Sequence, residues 1–160
     1  MSSKLKYAVA AILITVCLAG CLSDINAETP IPTVPFSVIA SGYNPVSGVD
    51  KNRGLEVFRD QASFNARFAE YVESVQEHTV DFSAKRVILS DLGQRNTGGY
   101  SIATSEIREF NDHVIVHVTI TKPGSTCVVT QAFTAPFEFI EVQSTKEILF
   151  DEQLVITNCN

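Results

Sequence analysis

The chain has 160 residues, 12 basic against 18 acidic, with a formal net charge of −6 and 45% hydrophobic residues. That acidic balance argues against partners recognised through a broad positive field, nucleic acid and anionic membrane surfaces among them. The length and apolar fraction suit one domain with its own core, and no internal repeat or low-complexity tract is visible.

Lys4 and Lys6 form a positive start, and residues 7–18 follow as an apolar run without a charge. The run is shorter than the roughly 20 residues needed to span a bilayer but has the length of a signal-peptide core. It ends in Leu18-Ala19-Gly20-Cys21, which resembles the lipobox of bacterial lipoproteins. The resemblance implies cleavage before Cys21, a diacylglycerol on its thiol and an acylated amine. Residues 1–20 are therefore expected to be a lipoprotein signal peptide, and more than one acyl chain gives stable anchoring. Pro30, Pro32 and Pro35 speak against a helix that continues past the cysteine. Leu22, where an aspartate would retain the protein inside, favours the outer membrane if the organism has two membranes. The expected location is the bacterial cell envelope, through a lipid anchor. The first twenty residues hold two lysines and no acid, so their removal takes the formal charge from −6 to −8.

Residues 21–35 read as a lipidated tether, and 36–160 as a single globular domain. The tether shows no hydrophobic period; extended at about 3.3 Å per residue it reaches roughly 45 Å. Strands are expected at 36–39 and 54–58. Asp60 has the chemistry of a helix N-cap, and Phe64, Phe68, Tyr71, Val72 and Val75 form one apolar stripe over three turns. Further strands are expected at 86–92, 100–107, 113–120, 127–132, 137–142 and 153–157. In 113–120 the alternation puts Val114, Val116, Val118 and Ile120 on one face. Short strands at spacings near ten residues imply a mainly β (α+β) fold: an antiparallel β-sandwich or barrel-like sheet with one amphipathic helix.

Of the four cysteines, Cys17 leaves with the leader and Cys21 takes the lipid, leaving Cys127 and Cys159. In an oxidising exported compartment the pair reads as a disulfide. Closing the loop between them is worth roughly 3.7 kcal/mol in the chain-entropy view. No C-x-x-C motif supports the rival reading, a thiol redox site.

The sequence offers little catalytic chemistry. His113 and His117 share a strand face about 13 Å apart, too far for zinc–nitrogen bonds of about 2 Å to one ion. They lie opposite the valine face and read as surface residues. There is no G-x-S-x-G elbow, no P-loop and no G-x-G-x-x-G. The expectation is a protein that is not an enzyme and needs no metal or cofactor. Residues 92–100, with Gly98 and Gly99 before Tyr100, stand out between two strands. A double glycine permits positive φ and close backbone approach, which suits either a demanding hairpin or a binding loop.

A resemblance bears on that choice. Val80-Asp81-Phe82-Ser83, the strand at 86–89, Leu92-Gly93 with Thr97-Gly98-Gly99-Tyr100-Ser101-Ile102, the strand at 114–118, Pro123 and Gln131-Ala132-Phe133-Thr134-Ala135-Pro136-Phe137 resemble the C-terminal domain of the PrcB family. That family is named after a lipoprotein subunit of a spirochaete surface protease complex, which associates with and stabilises a subtilisin-like peptidase. The resemblance implies a non-catalytic accessory protein that binds a protein partner, a subtilisin-like or other peptidase. Arg95, Asn96, Thr97, Gly98, Gly99 and Tyr100 are the expected protein-binding loop. Asn96 departs from the family, which usually has proline there. Asn96-Thr97-Gly98-Gly99-Tyr100 is also similar to a reactive loop of chagasin-like cysteine peptidase inhibitors, but their second loop carries a tryptophan and this chain has none. A third reading is an envelope structural protein with no peptidase link.

Overall fold

The computed structural model of the protein describes residues 31–47, 52–73 and 78–159. The expected leader, Cys21 and residues 22–30 of the expected tether lie outside the described residues. Within them the chain runs β1 (Ile31–Thr33), β2 (Phe36–Gly42), β3 (Gly54–Phe58), α1 (Gln61–Phe68), β4 (Arg86–Asp91), β5 (Ser101–Glu109), β6 (His113–Pro123), β7 (Phe137–Val142) and β8 (Glu147–Thr157).

The strands form two four-stranded sheets, ordered β1-β5-β6-β8 and β2-β7-β4-β3, and neither closes into a barrel. The mainly β sandwich with one helix expected from the sequence is therefore the fold. Its pairing departs from all-antiparallel in one place. β8 runs parallel to β6, in continuous register from His113 opposite Glu147 to Pro123 opposite Thr157. Parallel neighbours need a crossover, and here the chain makes it through β7 in the opposite sheet.

Burial explains the layering. β4 and β7 are central strands with both faces covered, so their sequences, RVILSD and FEFIEV, are buried almost throughout. Ile88, Ile140 and Val142 face the other sheet and meet Val114, Val116 and Val118. Val87, Leu89, Phe137 and Phe139 face the opposite way, onto Phe64, Phe68 and Tyr71 of the helical segment. Phe64 is fully buried among aromatic rings, its centroid 5.1 Å from that of Phe68 and 6.2 Å from that of Phe139. Truncating such a residue to alanine costs about 3–5 kcal/mol.

Asp60 caps α1 as its chemistry predicts, accepting from the Ser63 amide at 2.8 Å. The helix is shorter than the apolar stripe suggests. After Phe68 the bonds tighten, Glu70 N to Arg67 O at 3.1 Å and Tyr71 N to Phe68 O at 3.0 Å, a common way for a last turn to close. Tyr71 is still buried; Val75 lies outside the described residues.

Two further segments differ from expectation. Ile31–Thr33, within the stretch read as tether, pairs with β5, and Val34 N donates to Ile107 O at 2.9 Å. Residues 127–132, expected as a strand, form none. Cys127 is joined by a disulfide to Cys159, with the two Cα atoms 4.8 Å apart, and Thr130 O accepts from Gly98 N at 3.0 Å. This segment braces the 92–100 loop and extends neither sheet.

Candidate functional site

The site begins where β4 ends. Asp91 is buried, and its Oδ1 accepts from the Gly93 amide at 2.7 Å while Oδ2 accepts from the Tyr71 hydroxyl. This side chain-to-backbone turn is followed by Gly93 at φ +73°, a conformation glycine adopts without steric cost. Burial, and then the bond to Asp91, push the Tyr71 hydroxyl well above the ordinary phenol range. It stays a protonated donor, and one anchor thus serves both the helical segment and the loop.

Beyond Gly93 the loop folds down onto residues 127–134. Arg95 and Thr134 exchange backbone bonds at 2.7 and 3.0 Å. The Thr134 hydroxyl donates to Thr97 O at 3.0 Å. Gly98 is buried, and a Cβ there would run into the Thr130 hydroxyl. Gly99 sits at φ +86° against Pro123 and Val129. The six residues expected to bind therefore separate. Thr97, Gly98 and Gly99 are occupied in holding the loop's shape, and Asn96 is exposed at its tip. Arg95 and Tyr100 come together, the guanidinium 5.8 Å from the ring centroid. Arg95 also donates to Leu92 O at 2.6 Å.

Arg95 and Tyr100 form one wall of a groove of about 490 Å³. Leu92, Ile120 and Leu154 supply its apolar surface, and Arg53, Lys122 and Glu152 its other charges. The groove exists because the inter-sheet core fades along two strands. Val114, Val116 and Val118 are buried on β6, but Ile120 is half-buried and Lys122 exposed. On β8 their register partners run from buried Ile148 to Leu154 and Ile156, which are 60% and 56% exposed. Arg53 pairs with Glu152 across the gap. Sequence reasoning missed Arg53, Lys122, Glu152 and Leu154, since they come from three separate segments. The signal at hand was the valine face of β6 ending in a lysine.

Several other charged groups are committed elsewhere. Glu138 is buried between the sheets and accepts from the Thr104 amide at 2.7 Å, at the register shift in β5. Burial raises its carboxyl pKa against the lowering effect of that bond. Burial also raises that of Glu141, but Lys85 at 2.6 Å and His78 at 3.1 Å outweigh it, and the net direction is down. His113 and His117 are half-buried rather than fully exposed, each against an aspartate: Asp112 at 2.6 Å and Asp151 at 2.9 Å. Among the described residues no three His, Cys, Asp or Glu side chains are grouped to hold a metal ion.

The fold and site define a small β-sandwich with a disulfide-braced loop and a groove where its core opens. Residues 87–143 match the family described as PrcB C-terminal, and over that stretch the resemblance read from the motifs is borne out. No curated protein and no solved structure matches the chain. Five of the groove residues, Leu92, Arg95, Tyr100, Ile120 and Lys122, fall inside the matched stretch.

Proposed function

We propose that the chain is a non-catalytic accessory protein that binds a partner protein, an exported peptidase, and works from a lipid anchor at Cys21. The observation that carries this reading is the groove beside the loop at 92–100: apolar surface with cations at its rim, largely within the PrcB C-terminal stretch. Apolar centres with Tyr and Arg at hand are the usual composition of protein-binding surfaces. The packing of residues 97–99 onto 127–134 favours the accessory role over a chagasin-like inhibitor, because that part of the loop is spent on the protein's own structure.

The test is recovery of the full-length chain from its own envelope with bound neighbours, followed by peptidase assays with and without it. Co-recovery of a peptidase that lasts longer with the chain present supports the reading. A slowed peptidase points to inhibition, and recovery without a peptidase returns the chain to the envelope structural class. Anchoring is checked separately: Cys21→Ser should leave an unprocessed precursor that takes up no labelled fatty acid.

A further inference from the structure

We infer that the groove receives an extended segment of the partner protein whose groove-facing side carries apolar and acidic side chains in turn, its backbone pairing along the open edge of β8. This rests on the accessory reading and adds the chemistry of the docking element.

Charge gives the first part. Arg53 and Glu152 neutralise each other. Arg95 bonds only to a carbonyl and a ring, and among the described residues neither Arg95 nor Lys122 has a carboxylate partner. Two uncompensated cations thus face one groove on a chain whose net charge is −6. A carboxylate bridging them gains charge-assisted bonds in a partly desolvated setting.

The edge gives the second part. β8 ends its sheet, and among the described residues no strand pairs with its outer side. Natural proteins blunt such edges with charged side chains, lysine above all, with proline or with bulges. β8 reads EILFDEQLVIT: it has neither lysine nor proline, its acids end at Glu152 so that 153–157 beside the groove carry no charge, and it keeps unbroken register with β6. Its eleven residues are a template for strand addition, the mode in which main-chain bonds give affinity and alternate side chains give specificity. A strand beside it lies about 4.8 Å away, and its same-face residues are two apart. One such side chain can rest against Leu154 and Ile120 while the next on that face, an acid two residues along, extends toward Arg95 and Lys122. Basic segments are disfavoured by the same two cations.

The probes are blocked dodecapeptides of repeated Glu-Thr-Val-Thr, which set glutamate and valine in turn on one face, the counterpart with lysine for glutamate, and the glutamate peptide N-methylated at successive residues so that neither edge can pair. Binding to the detergent-solubilised full-length chain is read by fluorescence anisotropy. The glutamate peptide should bind, and Lys122→Glu, at an exposed position, should weaken it by about tenfold or more. The lysine and N-methylated peptides should not compete. Equal affinity for both charges, an unchanged affinity in Lys122→Glu, or no binding at millimolar peptide overturns the proposal. So does a wild-type dimer, seen by sedimentation, whose β8 edges exclude the peptide. If Lys122→Glu still recovers the peptidase from the envelope, the accessory reading stands and only this docking site fails. If the wild type recovers none, the accessory reading itself fails, whatever the peptides do.

Discussion

The hydroxyl of Tyr71 donates to the buried carboxylate of Asp91, joining the segment after α1 to the end of β4, where the loop at 92–100 begins. Asp91 spends its other oxygen on the Gly93 amide, so the helix layer and the start of the groove share one polar anchor. Bonds to charged groups contribute about 1.5–3 kcal/mol each. Tyr71→Phe should lower unfolding free energy by about 2 kcal/mol with an unchanged urea m-value. Asp91→Ala should cost more, because it removes an acceptor from both the hydroxyl and the amide. A Tyr71→Phe loss below about 0.5 kcal/mol would show that the carboxylate is satisfied without the phenol.

The disulfide is the second anchor. It fixes Cys127, at the start of the bracing segment, to Cys159, just past β8, and the Thr126 hydroxyl reaches Cys159 O at 2.7 Å. Cys159→Ser should cost about 2–4 kcal/mol, as loss of a native disulfide typically does. Because the same bond holds both the loop's support and the end of the open edge, amide exchange should quicken at residues 95–99 and 153–157 together. Faster exchange at one end alone would separate the two.

How far the sequence revealed this architecture follows from where each signal was local. Gly54–Phe58 and Phe137–Val142 have the boundaries their patterns predict, and Asp60 caps the helix it announces. The miss at 127–132 is instructive: Val128, Val129 and Thr130 are β-branched residues of the kind strands favour, but Val128 is fully exposed and the segment is tied down by a disulfide and a loop. β1 was hidden among prolines. β8 starts at Glu147, not 153, because acids at 147, 151 and 152 mask a strand that has one exposed edge. In the site, Arg95 and Tyr100 were legible from the loop that carries them. The residues opposite were not, since only tertiary register brings Ile120 beside Leu154.

The glycines of the loop should respond to substitution in different ways. Gly98→Ala puts a Cβ into the Thr130 hydroxyl, and overpacking of this kind costs about 1–3 kcal/mol. Thr130 is exposed, so Thr130→Ala alone should be nearly neutral, and in the double variant it should recover most of the loss. Gly99→Ala is strained by its φ of +86° and by Pro123 and Val129, each with an atom 3.1 Å from the new carbon. Thr130→Ala should not relieve it. Melting temperatures of the five variants decide the matter, and equal rescue of both alanines would place the strain in Thr130 alone.

Glu138 supplies a pH dependence with a definite sign. Its carboxylate stands between the sheets and accepts from the Thr104 amide. Burial still dominates and holds the folded pKa above the ordinary glutamate value of 4.5. The folded state therefore keeps this proton to a higher pH than the unfolded chain does. By linkage, its contribution to stability falls as pH rises from the ordinary value through the raised one. Glu141, Asp60 and Asp81 have lowered values and act in the opposite direction, so the wild-type curve alone cannot isolate Glu138. The difference from Glu138→Gln can, because the amide oxygen still accepts from Thr104 and the other groups are unchanged. The variant should gain stability relative to wild type as pH rises from 4 to 7, and the gain should level off once both states of the wild type are ionised. A difference that is flat with pH would mean that water reaches this carboxylate in the folded protein and burial does not govern its titration.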